Sequence, residues 1–324
     1  MTDGTRAQSG ALSLRLSVTD RCQLRCRYCM PSAASNHIQR SDYLSFEEIA
    51  RLALWLQETY GLAKVHLTGG EPLLRPNLHR LIAMLDALGV PDLALTTNGL
   101  RLAEHAEQLR TAGLRRVNVS LDTLDPVVFR ELTRGGRVEA VLDGIHRARE
   151  VGLNPIKLNT VLIRGVNDRE IERLIEFAIV NGCELRFIEL MPIGPGAALF
   201  ATGHMPAAEV GERLGQQYAL EPLGRRVGTS SVRYHVRDKA GREGIIGFIA
   251  PCSEPFCSDC RRLRVTADGQ ILGCLAREDG RSVREALRRG DRQAVLDAVQ
   301  NAMAAKRDSA EFTSSCACMA GIGG

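Results

Sequence analysis

Three cysteines fall within one short stretch, Cys22-Gln23-Leu24-Arg25-Cys26-Arg27-Tyr28-Cys29, directly after an apolar run. Thiolates this close together can all reach one metal centre. A structural zinc site takes four ligands, and so does a plain electron-transfer iron–sulfur cluster. Three thiolates on a four-iron cube would leave one iron without a protein ligand, free to bind a small molecule. The plain alternatives at this point are a zinc knuckle or three unrelated buried thiols. A second group lies far downstream, where Cys257-Ser258-Asp259-Cys260 is followed by Cys274. Between them, Arg262 to Thr266 and Gln270 to Gly273 read as a hairpin turned by Ala267-Asp268-Gly269. That hairpin returns Cys274 to the pair. Spacing alone leaves two equal readings: a three-cysteine cluster, or zinc with a distant fourth ligand from Cys252, Cys316, Cys318 or a histidine.

The first motif is C-x3-C-x2-C with an aromatic residue before the last cysteine, and the chain resembles the radical S-adenosylmethionine (SAM) enzymes. With Val18-Thr19-Asp20-Arg21-Cys22, and with the features that follow, it is similar to their GTP 3',8-cyclase family of molybdenum-cofactor synthesis. Some forty residues after the cysteines comes Gly69-Gly70-Glu71-Pro72. Two glycines after a strand let a backbone come close to a ligand, and in radical SAM enzymes Gly-Gly-Glu here holds the SAM amino group. The stretch from Phe256 through Arg262, Arg264, Thr266 and Gly269 to Cys274-Leu275 resembles the family's second cluster motif, with Arg261 where the family commonly has Asn.

The resemblance implies two 4Fe-4S clusters, one on Cys22, Cys26 and Cys29 and one on Cys257, Cys260 and Cys274, the second binding the guanine of GTP. It implies SAM contacts at Tyr28, Gly70, Ser120 and Met191. It implies GTP contacts at Arg15, His66, Thr96, Lys157, Arg262, Leu263 and Arg264. Position 66 is usually Arg in the family. Histidine is shorter and only partly charged at neutral pH, so a weaker triphosphate contact is expected there, and His66→Arg is expected to tighten GTP binding. The family's chain ends in Gly-Gly and that end reaches into the active site, which implies a catalytic role for Gly323 and Gly324. The implied reaction is abstraction of hydrogen from C3' of GTP by a radical derived from SAM, then closure onto C8. The implied partners are an electron donor, a downstream cyclic pyranopterin monophosphate synthase that takes the product, and a second copy in a homodimer. Two competing classes are a peptide-modifying maturase with an auxiliary cluster and a non-enzymatic metal-binding scaffold.

Composition bounds the rest. The chain has 324 residues, 44% hydrophobic and 25% charged, with a net charge of +4. This fits a globular protein of one or two domains, and the small charge makes no case for nucleic acid. Ten cysteines in clustered spacings read as metal ligands rather than a disulfide framework. Residues 1–10 are polar and lack a signal peptide's apolar core. No run approaches the roughly 18 apolar residues of a membrane span. The expectation is a reducing, cytoplasmic protein with a flexible N-terminus over 1–10.

These residues must be held by a βα rhythm. Strands are predicted at Leu12–Val18, Leu62–Thr68, Leu93–Thr97, Arg116–Leu121, Pro155–Ile163 and Glu184–Met191. Helices are predicted from Ser45 to about Thr59, and over about Asn77–Leu88, Leu102–Thr111 and Val138–Val151, then from an Asp168 cap to Val180. Strands alternating with helices imply a parallel sheet. Six units are too few for the eight-stranded barrel, so the fold class is α/β, a partial (β/α)6 barrel over 11–195. Active sites of such folds sit at the C-terminal strand ends. Cys22–Cys29, Gly69–Glu71, Thr96–Asn98, Ser120–Asp122, Lys157–Asn159 and Glu189–Met191 are expected to ring one site there. The Gly- and Pro-rich stretch from Met191 to Gly196 marks a boundary. Beyond it, residues 196–324 form a C-terminal α+β region with a short helix at Pro206–Leu214, strands near Val232–Val236 and Gly244–Ile249, the hairpin, and one long helix over Val283–Lys306. Cys183 reads as a small core residue.

Overall fold

A computed structural model describes residues 11–31, 37–226, 228–275, 280–308 and 319–322. The first six strands are β1 (Leu12–Ser17), β2 (Leu62–Thr68), β3 (Leu93–Thr97), β4 (Arg116–Ser120), β5 (Lys157–Leu162) and β6 (Glu184–Glu189). They pair in chain order, all parallel. The connecting helices are α1 (Phe46–Tyr60), α2 (Leu78–Ala87), α3 (Leu102–Thr111), α4 (Pro126–Thr133), α5 (Val138–Glu150) and α6 (Ile171–Val180). This is the expected partial barrel.

The strands carry leucine and valine on the helix side and polar residues on the concave side. In β1, Leu12, Leu14 and Leu16 are buried in the core while Ser13 and Arg15 face a central cavity. The same alternation puts Lys64 and His66 of β2, Arg116 and Asn118 of β4, and Glu184 and Arg186 of β6 on the cavity wall. A closed eight-stranded barrel fills its interior with branched apolar side chains. Here charged side chains such as Arg15, Lys64, Arg116 and Arg186 line the cavity among apolar ones, which suits a charged ligand.

The C-terminal half extends this sheet at both edges. After α7 (Gly196–Gly203) and α8 (Ala207–Gly215) come β7 (Ala219–Arg225), β8 (Val232–Arg237) and β9 (Glu243–Ile249). β9 lies parallel to β6 and continues the sheet as β6-β9-β8-β7. The chain then crosses to the other edge, where β10 (Arg262–Val265) pairs parallel with β1 and leads into β11 (Gln270–Leu272) and β12 (Arg281–Ser282). Barrel and C-terminal region thus share one twelve-stranded sheet.

Four local readings change. The stretch read as a boundary is helical from Gly196, and helix α4 was not anticipated. Asp168 does not cap α6: Asp168–Glu170 forms a 3-10 turn, and the Asp168 carboxylate accepts from Gly165 N–H. The long C-terminal helix is two, α9 (Arg284–Arg289) and α10 (Arg292–Ala304). Gly290 ends the first at φ 73°, and Asp291 caps the second by accepting from Ala294 N–H.

Helix α1 begins with the predicted capping box. Ser45 Oγ accepts from Glu48 N–H at 3.1 Å and Glu48 accepts from Ser45 N–H at 2.7 Å. Ser45→Ala is expected to lower stability by about 1 kcal/mol, read as a lower thermal midpoint; an unchanged midpoint would deny the cap its role.

Candidate active site

The cavity has a volume of about 960 Å³ and both cysteine triads line it. The first triad sits on the loop after β1. Cys29 and Met30 donate their N–H groups to Cys26 O, which turns the loop back on itself. Arg25 and Arg27 donate to the Thr133 and Leu132 carbonyls at the C-terminal end of α4. Helix α4 is therefore the cradle of the cysteine loop. Its sequence signal was present in Asp125-Pro126, where Asp125 accepts from Val127 and Val128 N–H and Pro126 occupies the first helical turn.

The glycines of Gly69-Gly70 are required by this same loop. A Cβ on Gly69 would lie 2.6 Å from Thr19 O, and one on Gly70 would lie 2.4 Å from Arg21 O. Gly70 and Glu71 donate their N–H groups to Thr19 O and Arg21 O, each at 2.7 Å. So the backbone that approaches the glycine pair is the cysteine loop itself. Gly70 lines the cavity, while the Glu71 side chain is fully buried away from it. Its carboxylate accepts from Leu73 N–H, Thr97 Oγ1 and Asn98 N–H, and burial still raises its pKa to about 7. Glu71 thereby ties the end of β2 to the end of β3.

Tyr28, Ser120 and Met191 also line the cavity. Tyr28 donates its hydroxyl to Asp122 Oδ2 at 2.7 Å, and Val161 N–H donates to Asp122 Oδ1 at 2.8 Å. Burial lifts the Asp122 carboxyl to about 6 against these bonds. Asn98 donates Nδ2 toward Cys22 Sγ at 3.6 Å. Asp122 and Asn98 were placed in the expected ring of strand-end residues without individual roles; their contacts assign one to each.

The expected nucleotide residues form the lower wall. Arg15 of β1 stands in register with Arg264 of β10 on one side and His66 of β2 on the other. Arg262 lies two residues from Arg264 on the same face, its guanidinium 4.7 Å above the Phe256 ring. Burial, then Arg264 and Arg262, hold the Arg15 pKa well below its usual value. Crowded, buried guanidinium groups on one wall suit an anion. Leu263, on the opposite face of β10, is fully buried and its side chain does not line the cavity; strand alternation turns it into the core.

His66 Nε2 lies 2.7 Å from Thr96 Oγ1. Burial, then the charges of Arg15 and Lys64, press its pKa well below the normal range, so the ring is neutral. Lys157 is not at the C-terminal end of its strand but begins β5, in register with Asn118 and Glu184. Glu184 was not anticipated. It pairs with Lys157 at 3.0 Å, Arg186 at 2.8 Å and Arg233 at 3.6 Å. Lys64, Arg116 and Arg186 add further cations to the wall. Their signal was the charged residue at every second position of a strand, read only at Arg15, Arg262 and Arg264.

The second triad closes the cavity from the β10 edge. Cys257 and Cys260 flank a 3-10 turn, and Lys306 donates Nζ to Cys260 Sγ at 3.5 Å and to the Cys260 and Arg262 carbonyls. Burial opposes ionisation of Cys260, but Lys306 and Arg262 outweigh it and lower the thiol pKa. Cys22, Cys26 and Cys29 line the cavity together, and so do Cys257, Cys260 and Cys274. Met319, in the short helix Met319–Ile322, also lines the cavity. Gly323, Gly324, Cys316 and Cys318 lie outside the described residues. Cys183 is buried in the hydrophobic core, its thiol raised to about 11 by burial.

Residues 16–178 match the Radical SAM superfamily and residues 183–312 match Molybdenum Cofactor Synthesis C. The GTP 3',8-cyclase of Acidothermus cellulolyticus is 46% identical over 292 residues, covering 88% of this chain and 80% of that one. The GTP 3',8-cyclase of Rhodopirellula baltica is 40% identical over 320 residues, covering 96% and 89%. With this similarity along most of its length, and with two cysteine triads on one cationic cavity, the chain belongs to the GTP 3',8-cyclase family of the radical SAM superfamily.

Proposed function

We propose that the protein is a lyase that converts GTP to 3',8-cyclo-7,8-dihydro-GTP, the first step of molybdenum-cofactor biosynthesis. The observation that carries this reading is the pair of three-cysteine groups on one cavity, with Arg15, Arg262 and Arg264 beside the second. A 4Fe-4S cluster with bound SAM supplies a one-electron reduction that splits SAM and gives the hydrogen-abstracting radical. The chain positions the reactants. Cys22, Cys26 and Cys29 hold the first cluster, and Tyr28, Gly70, Ser120 and Met191 hold SAM. Cys257, Cys260 and Cys274 would hold a second cluster, which would supply a binding place for the guanine. Arg15, Thr96, Lys157, Arg262 and Arg264 take the ribose and triphosphate, His66 contributes a neutral hydrogen bond, and Gly323 and Gly324 take the catalytic role of the family's Gly-Gly end. Fixing the substrate at two ends sets which hydrogen meets the radical. The protein acts in the cytoplasm, takes electrons from an electron donor and passes product to a cyclic pyranopterin monophosphate synthase.

The test is release of 5'-deoxyadenosine from cluster-loaded protein given SAM and reductant, with and without GTP. Strong stimulation by GTP supports the reading. Cleavage indifferent to GTP sends the search to another substrate, such as a peptide.

The pH dependence of GTP binding follows from the wall. Burial, then Arg186, draws Lys157 down to about 8, and burial, then Arg116, draws Lys64 down to about 7. A bound polyanion raises both values, so binding takes up protons. The Kd for GTP should therefore rise as pH increases from 7 to 9, by at most about tenfold per unit per lysine. Lys157→Arg should flatten the profile, and a flat wild-type profile would contradict this assignment of cations.

At position 66, His66→Arg should lower the Kd for GTP severalfold, since a charge-assisted hydrogen bond is worth about 1.5–3 kcal/mol against about 1 for a neutral one. It should also lower the ligand-free thermal midpoint, because the new cation is buried beside Arg15 and Lys64. Unchanged or weaker GTP binding would remove the idea.

A further inference from the structure

Outside both cysteine triads, three metal-ligating side chains meet at the end of β6. The ligand atoms of Glu189, His204 and Cys252 all lie within 4.8 Å of one another. They come from three separate places: Glu189 ends β6, His204 follows α7, and Cys252 lies in the turn after β9. We propose that Glu189, His204 and Cys252 form a third metal site, specific for a divalent transition-metal ion of the zinc type, which staples the SAM side of the cavity to the loop carrying the second triad.

Four observations carry this. First, the His204 Nε2 atom is buried and has no hydrogen-bond partner among the described residues. Its nearest carboxylate oxygen, Glu189 Oε2, is 3.8 Å away, too far for a hydrogen bond and within about 0.4 Å of the ~3.4 Å between two ligands of one tetrahedral ion at ~2.0–2.2 Å from each. Second, the Glu189 carboxylate is almost wholly buried, and no Lys or Arg among the described residues pairs with it. A buried carboxylate calls for a counter-charge, and a cation between it and the imidazole supplies one. Third, the ligands are held in place by a second layer of contacts, as metal ligands are. Glu189 accepts from Ala207 N–H at 2.8 Å, from Cys252 and Ser253 N–H at 3.1 and 3.0 Å, and from the Ser253 hydroxyl. The His204 ring is packed against Phe200 with centroids 4.5 Å apart, and its backbone N–H donates to Phe200 O. Fourth, among the described residues the Cys252 thiol makes a long contact to Leu190 O at 3.7 Å, which leaves its sulfur uncommitted to a strong hydrogen bond, and a coordinating metal ion deprotonates such a thiol.

One sulfur, one imidazole nitrogen and one carboxylate oxygen are a borderline-soft set that suits Zn²⁺ over Mg²⁺ or Ca²⁺. Water takes the fourth position. The staple's position explains what it would do: Met191 lies two residues past Glu189, and Cys257 lies five past Cys252. The ion would hold the SAM-side strand end and the second triad's loop at a fixed separation.

The test uses the full chain with both iron–sulfur clusters loaded, so that no cysteine triad is open to zinc. The protein is dialysed against Zn²⁺ with a competing chelator. Retained zinc is then counted, and its neighbours are read by zinc-edge X-ray absorption. The expected result is about one zinc per chain with one sulfur and the remainder nitrogen and oxygen neighbours. His204→Asn and Cys252→Ala should each weaken retention by at least about tenfold, at unchanged iron content. Cys252→Ser, which keeps the side chain's size, should remove the sulfur neighbour. No zinc retained by the wild type, equal retention in the variants, or a zinc with three sulfur neighbours would each overturn the proposal.

Discussion

Cys26→Ala is expected to abolish SAM cleavage altogether, the largest effect of any single substitution in this chain. The loop that carries Cys26 is held by backbone bonds: its carbonyl receives Cys29 and Met30 N–H, and Arg25 and Arg27 bond to the end of α4. None of these needs the thiol, so the fold should survive and far-UV circular dichroism should not change. What disappears is one of the three thiols of the first triad. Burial, then Cys29, Asp122 and Cys22, raises the Cys26 thiol pKa well above normal. In the folded protein, only a bound cationic cluster makes this group a thiolate. Iron content should fall from about eight to about four per chain, one 4Fe-4S unit, and 5'-deoxyadenosine should fall below detection with or without GTP. Retained cleavage in this variant would mean that another centre reduces SAM.

Cys260→Ala should separate the two halves of the chemistry. Here too iron should fall to about four per chain, but SAM cleavage should persist at its GTP-independent level while cyclised product is lost. The reason is local. Cys260 is the thiol lowered by Lys306 and Arg262, and Arg262 shares its face of β10 with Arg264, the register partner of Arg15. On the proposed reading, loss of the cluster would take away both the base anchor and the negative partner of Lys306 and Arg262. Product formed at near the wild-type rate would contradict a second cluster as the anchor for guanine.

Most of the scaffold was legible because a parallel sheet writes a strong local signal. Apolar strands of five to seven residues separated by amphipathic helices gave β2 and β3 their observed bounds, and the capping box at Ser45 gave the start of α1. The triads were legible from spacing. What was missed depends on long-range contact. Helix α4 sits where two helices follow one strand, and its purpose is visible only when Arg25 and Arg27 meet its end. That β9 and β10 would join opposite edges of one sheet cannot be read from their sequences, since an edge pairing is a non-local choice. Glu184 was unremarked because a glutamate at a strand start is ordinary until Lys157, Arg186 and Arg233 converge on it. His66 was read as a weakened cation, and only its burial beside Arg15 and Lys64 makes it neutral.

The central claim is that one cavity holds a SAM-derived radical against C3' of GTP. The most direct measurement supplies GTP deuterated at C3' to cluster-loaded protein with SAM and reductant, then weighs the 5'-deoxyadenosine formed. The account predicts one deuterium in 5'-deoxyadenosine and a 3',8-cyclised nucleotide in matching amount. 5'-Deoxyadenosine without deuterium, formed alongside unchanged GTP, would contradict it.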